Sequence, residues 1–307
     1  MQRDDHPPVI GALSPDDAAA KLRELGDDAT ATALSNPEFR PRGAVMGVSD
    51  WWPFGDKPWQ HTAHAFGYLG PACADDPSAT SAPILPLGAV QADESLRHQR
   101  VNVTLNRLRV ADYPGSGSHR VLFEFHATNH LDRDVSESLH FNHTYRVRSG
   151  ERAALVGYPI FIGLGVGEGL GVRCYTVNVK NDSDEKFLDF LDSDVFKGGL
   201  KLATTAQPAI APLSGLALGI TRAIASRNRN VAVQDFFLGL DFSRDRMGAR
   251  LAEGSYLAVQ VPEKLQALWD WSDWVYSPAT GEVVAADDPK QLIPYNYVVI
   301  GINRHRG

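Results

Sequence analysis

From Arg100 onward, apolar and polar residues alternate with a period of two. Val101, Val103, Leu105, Leu108 and Val110 predict a strand that the turn Tyr113-Pro114-Gly115-Ser116-Gly117 ends. Val121, Phe123 and Phe125 alternate with Leu122, Glu124 and His126 in a second strand. Beyond Asn129-His130-Leu131-Asp132 a third runs from Leu139 to Val147, and Ser149-Gly150 turns the chain. Tyr158 to Val166, Leu170 to Val179, Val231 to Phe242, Ser255 to Val261, Trp269 to Tyr276 and Tyr295 to Ile302 read the same way. Short strands joined mostly by hairpin-length turns, with helices inserted rather than alternating one per strand, disfavour a parallel α/β fold. They predict a mainly β fold: an antiparallel two-sheet β-sandwich over residues 96–307, C2-like or jelly-roll-like in layout.

Helical periodicity appears in three places. Residues 14–35 predict a first helix, with Ser14 as N-cap, Pro15 at the first position, Asp16 and Asp17 at its positive end, and Ala18, Leu22 and Leu25 in an apolar line that thins after Gly26. Residues 184–200 predict a helical insertion stopped by Gly198-Gly199. Residues 212–227 predict a second, whose Leu213, Leu216, Ala217, Ile220 and Ile224 form one stripe. Between Lys201 and Arg222 there is no charge, but Thr204, Thr205, Gln207, Pro208 and Pro212 make that stretch a poor membrane span. Residues 36–95 are rich in Pro and Gly yet carry Trp51, Trp52, Phe54, Trp59, Phe66 and Tyr68, too aromatic for a free linker. Residues 1–95 therefore read as an N-terminal helix and an extended aromatic arm packed on the main domain, with Cys73 to Pro86 as a flexible, protease-sensitive loop.

Composition narrows the class. The 307 residues are 43% hydrophobic and 22% charged, enough for a sizeable core. Lys+Arg of 30 against Asp+Glu of 37 gives a net charge of −7, which argues against nucleic acid and anionic membrane as partners. The basic residues are mostly Arg, a bias that fits GC-rich bacterial coding sequence. Met1 to Pro8 shows no apolar leader, and two cysteines suit a reducing compartment, so a cytoplasmic location is expected, with Cys174 as strand packing.

Familiar catalytic signatures are missing: no Gly-x-Ser-x-Gly, no phosphate-binding Gly-x4-Gly-Lys, no His-Glu-x-x-His and no Cys-x-x-Cys. Glycine at every second position from Gly163 to Gly171 fails the dinucleotide spacing. It predicts a hairpin connection with one bare face, open to another backbone or a flat ring. Eight of the ten histidines lie between His61 and His143. His126 and His130 share a strand face, a hairpin would set His140 opposite them, and Glu124 and Asp132 offer oxygen; zinc or another transition metal is the ligand such a cluster would take. His140 and His143 point to opposite faces, and scattered surface or hydrogen-bonded core histidines are the competing reading.

Asp182, Asp184, Asp192 and Asp194 crowd the first helical insertion, where hard oxygen ligands could hold Ca²⁺. The arrangement resembles in outline the calcium- and lipid-binding C2 domains, which implies Ca²⁺-dependent membrane docking; a solvated helix start is the competing reading. Trp269 and Trp271, with Trp51, Trp52 and Trp59, are either core or an exposed platform.

The expected function is that of a non-enzymatic protein that binds other proteins, further copies of itself included, as an adaptor, structural or protease-regulated subunit. Trp51, Trp52, Trp59, Trp269, Trp271, Leu213, Leu216 and Ile220 are its expected contacts, and it needs no cofactor. The alternatives are a metal-dependent enzyme built on His126, His130 and His140, and the C2-like module.

Overall fold

A computed structural model describes residues 6–36, 56–71, 81–132, 135–153, 157–191, 219–243 and 249–306, with the side chains of 129–138 and 190–191 left out. The fold is mainly β, with antiparallel sheets, as the alternation predicts. The single helix expected over 14–35 is two. α1 (Pro15–Glu24) starts where Ser14 Oγ accepts the Asp17 amide at 3.2 Å, and α2 (Asp28–Ser35) starts where Asp27 accepts that of Thr30. Gly26, at φ +78°, breaks them apart in a conformation that disfavours other residues.

Fifteen strands follow among the described residues. β1 (Ala63–Leu69), β3 (Leu85–Pro86), β4 (Arg100–Val110), β7 (Glu151–Arg152), β8 (Tyr158–Gly165), β12 (Gly254–Val261) and β15 (Tyr297–Arg304) form a seven-stranded sheet in the order β3-β1-β12-β15-β4-β7, with β8 also beside β4. β5 (Ser118–Asp132), β6 (Val135–Arg148), β9 (Gly169–Val179), β10 (Asn230–Asp241) and β11 (Ala249–Arg250) form a five-stranded sheet in the order β11-β10-β9-β5-β6. Only the short β10 to β11 pair in it is parallel. β2 (Ala82–Pro83), β13 (Trp274–Ser277) and β14 (Glu282–Ala285) make a third, three-stranded sheet.

Two cores hold these layers, one on each side of the seven-stranded sheet. Val101, Val103 and Leu105 of β4 share the larger with Val121, Phe123 and Phe125 of β5. Full burial of side chains of this size contributes about 1.5–3 kcal/mol each. Leu257, Val259 and Val261 of β12 share the smaller with Trp271, Tyr276 and Val283. β12 is consequently buried at every position, which is why its run Tyr256-Leu257-Ala258-Val259 lacks clean alternation.

Three expectations are corrected. Two sheets were predicted and three are present. Residues 63–69, read as arm, are a fully paired strand between β12 and β3, and Ala82 to Pro86, read as loop, pair with β13 and β1. Trp269 to Tyr276 is not one strand: Asp270 accepts the Ser272 amide at 2.8 Å and starts a 3-10 turn at Trp271–Asp273, so β13 begins at Trp274. The predicted Leu139 to Val147 strand extends at both ends into β6, and β5 runs through Asn129 to Asp132 instead of turning there.

Trp271 joins two of the layers. Its indole N–H donates to the Phe66 carbonyl at 2.9 Å, and its ring lies over Gly67, where a Cβ would stand 2.8 Å from Cζ2 and 2.5 Å from the Ile84 Cγ2. Gly67→Ala is expected to destabilise the protein by about 1–3 kcal/mol through overpacking. Gly88→Ala, whose Cβ meets nothing within 4 Å, should stay within roughly 0.5 kcal/mol. Urea unfolding of both variants checks the pair, and equal midpoints would refute the packing account.

Candidate functional site

The alternation of β5 and β9 sorts their side chains onto two faces. Val121, Phe123 and Phe125 enter the core, whereas Leu122, Glu124, His126 and Thr128 face the opposite way. On β9, Gly171, Arg173, Tyr175 and Val177 share that outer face, with Tyr175 opposite Glu124 and Arg173 opposite His126. β10 reaches the same arrangement only through a bulge. Its pairing slips between Ala232, opposite Val177, and Gln234, opposite Thr176, so Asp235 and Phe237 point outward while Phe236 and Leu238 enter the core. Uninterrupted alternation from Val231 would have buried the Asp235 carboxylate.

One end of this face is covered. Leu122, Val177, Val179 and Ala232 pack beneath Val9, Leu188 of α3 (Asp182–Leu191), and Ile224 and Ala225 of the helix over 219–225, with Ile220 against them. At the border of the cover lies Glu124, its side chain 2% exposed. Its Oε1 stands 3.3 Å from Nε2 of His6 and 3.2 Å from Nδ1 of His140. The His6 ring stacks on Tyr175, centroids 4.3 Å apart and planes 12° apart, and the Tyr175 hydroxyl donates to the Pro7 carbonyl at 2.9 Å. Burial alone would raise the Glu124 pKa, but His140 and His6, with Thr221, outweigh it and lower it to about 2. Glu124 Oε2 and His6 Nδ1 are buried without a hydrogen-bond partner.

The other end is open. Arg173 and Asp235 form a two-pronged ion pair, both contacts 2.8 Å, and His126 stacks on His140 with centroids 4.1 Å apart. Phe237 is 53% exposed, and its ring lies on two glycines: a Cβ on Gly171 would stand 2.8 Å from it and one on Gly239 3.2 Å. Of the 163–171 glycine run only Gly171 carries this flat ring, supplied by the chain itself, while Gly169 approaches the Leu240 carbonyl and Gly165 meets nothing within 4 Å.

The expected metal ligands are thus partly brought together. His126 and His140 are cross-strand partners, as the hairpin reading requires, with Glu124 on the same face. Their rings stack with planes only 15° apart, which keeps their in-plane lone pairs from converging on one ion. The side chain of His130 lies outside the described residues. Among those described, no three His, Cys, Asp or Glu side chains are grouped to hold a metal ion.

In the acidic insertion, Asp184 is buried, accepting from Asn230 Nδ2 at 2.6 Å and paired with Arg227, while Asp182 is 83% exposed; Asp192 and Asp194 lie outside the described residues. Of the expected contacts, Trp59 and Trp271 are core and Ile220 packs on the sheet. Trp269 is half-buried, its ring parallel to that of Trp274 at 6.1 Å. Trp51, Trp52, Leu213 and Leu216 lie outside the described residues.

The chain matches no protein-family model, no curated protein and no solved structure. His6, Tyr175 and Asp235 went unremarked in the sequence. Tyr175 and Asp235 were findable once β9 was paired with β5 and β10, but nothing local marks His6, 118 positions from Glu124.

Two acid-sensitive windows follow. His64 and His119 are buried, and burial lowers both to about 4, so the native state keeps them neutral. Their contribution is present above pH 6.5 and is lost as pH falls toward 4. Glu124 is lowered from 4.5 to about 2, so its contribution is present above pH 4.5 and is lost as pH falls toward 2. Stability measured by urea unfolding should decline in both windows. Glu124→Gln should shrink the lower step by on the order of 3 kcal/mol and leave the upper one; the remainder of the lower step belongs to groups such as Glu263, which hydrogen bonds to His61 and Thr62 hold at about 2 against its burial. A variant whose profile parallels the wild type below pH 4.5 would refute the assignment.

Proposed function

We propose that the chain is a sandwich protein of C2-like or jelly-roll-like layout, with the small third sheet added to its two larger ones, that acts by binding other proteins in the bacterial cytoplasm, without chemistry of its own. The open end of the outer face of the five-stranded sheet is its contact surface. One observation carries this reading: Phe237, an aromatic ring more than half exposed, is held flat on a bare glycine pair beside the Arg173–Asp235 ion pair and His126. An aromatic side chain with an arginine at its margin is the composition of an interface anchor. The ring gains little by folding there, because half of it stays in water, whereas a partner that covers it desolvates both the ring and the ion pair. Such a protein serves as an adaptor or a structural subunit.

The test compares Phe237→Asp with Leu268→Asp, which alters another exposed apolar residue, 77% exposed, away from this face. Partners captured from cells of the source organism by the wild-type chain are identified by mass spectrometry, purified and titrated. Phe237→Asp is expected to weaken direct binding at least tenfold, about 1.4 kcal/mol or more, and Leu268→Asp to leave it within about twofold. Equal affinities for the three proteins, or no partner enriched by the wild type, would overturn the proposal.

A further inference from the structure

The His6 contacts describe a ligand site that the chain itself occupies. The Tyr175 ring supplies a flat wall, Glu124 a carboxylate at the end of it, and the His6 ring fills the space between. The fit is incomplete in a specific way. Imidazole presents a single nitrogen to Glu124 Oε1, its Nδ1 faces no acceptor, and Glu124 Oε2, on a side chain 98% buried, accepts nothing. A buried carboxylate oxygen without a donor is costly. A planar group with two parallel N–H donors would engage both oxygens at once and still lie flat on Tyr175, and that combination describes a guanidinium.

We propose that the Tyr175–Glu124 site is a receptor for the guanidinium of an arginine side chain, and that His6 is a displaceable placeholder in it. The inference does not depend on whether Phe237 engages a partner, since it rests on separate residues. A cationic ligand also suits the charge, because its guanidinium would pair with a carboxylate that stays ionised at neutral pH. The segment that carries His6 is held at this point by few polar bonds, the Tyr175 hydroxyl to Pro7 and the His6 nitrogen to Glu124, so replacing the ring gives up little besides the stack.

The experiment uses the full chain as His6→Ala, which empties the ring's space, and as the double variant with Glu124→Gln. Methylguanidinium at about 10 mM is expected to raise the melting temperature of His6→Ala by roughly 2–4 °C, with methylammonium doing much less and the double variant not responding. No rise, an equal rise with methylammonium, or a rise that survives Glu124→Gln overturns the proposal. The wild-type chain gives a second readout that does not need the variant to fold. Methylguanidinium should move the His6 ring resonances toward those of a solvated imidazole, and resonances that stay in place at saturation overturn the displacement. Blocked arginine, acetylated and amidated, is run beside the free amino acid: tighter binding of the blocked form is expected, and preference for the free form overturns the assignment to a side chain of a polypeptide.

Discussion

The register of β5 is the constraint on which the other features depend. β5 is hydrogen-bonded on both sides, to β6 and to β9, and the pairing with β9 runs without a slip from Arg120 to His130. Because successive side chains point to opposite faces, a shift of one residue would exchange Phe123 and Phe125 for Glu124 and His126 in the core. Two buried rings would be lost and a carboxylate would face the apolar residues of β4. The same alternation that builds the core therefore sets Glu124 beside Tyr175 and His126 beside Arg173, and the polar face needs no separate instruction.

Strands that touch solvent or a helix on one face were legible, because such strands alternate. β4, β8, β9 and β10 fall within one or two residues of the expected runs, and so do β12 and β15, whose unbroken apolar runs mark them although they are buried almost throughout; β5 overruns its expected run at both ends. β1 was not legible, for a physical reason: Ala63-His64-Ala65-Phe66-Gly67-Tyr68-Leu69 packs both faces, Phe66 and Tyr68 against one core and Ala65 and Leu69 against the other. With both faces buried there is no polar phase to detect, and Gly67 reads as a breaker although it is there to admit Trp271. The Trp269 to Tyr276 segment misled in the opposite sense. Three tryptophans at a spacing of two or three suggest a strand, but Asp270 and Ser272 close a local turn between them.

The candidate site was legible to the extent that it lies within one hairpin. His126 opposite His140, with Glu124 two residues earlier, follows from the pairing of β5 with β6 alone. Asp235 and Phe237 depend on the bulge at Val233-Gln234, which no residue preference announces, since Val233 is buried in the core and Gln234 is held by Tyr113 and Thr176. His6 comes from the far end of the chain. The acidic insertion looked like ligand chemistry and is in part packing chemistry: Asp184 satisfies Asn230 and Arg227 where α3 meets the sheet, a pairing visible only after the strands on either side are placed.

Charge decides how the polar face is read. Arg173 and Asp235 neutralise each other at its open end, whereas the Glu124 carboxylate is buried at the border of the cover. Nitrogens of His6 and His140 both approach one of its oxygens, and the second ring of the His126–His140 stack lies over His140 in a nearly parallel plane. An ion centre would need those nitrogens to aim at a common point away from the carboxylate. Here they aim at the carboxylate itself, an arrangement that holds a negative charge in a dry place and leaves one of its oxygens ready for a donor. The face thus presents a compensated ion pair and an exposed ring where a macromolecule can cover them, and next to these a buried anion whose present donor is a ring of the chain itself.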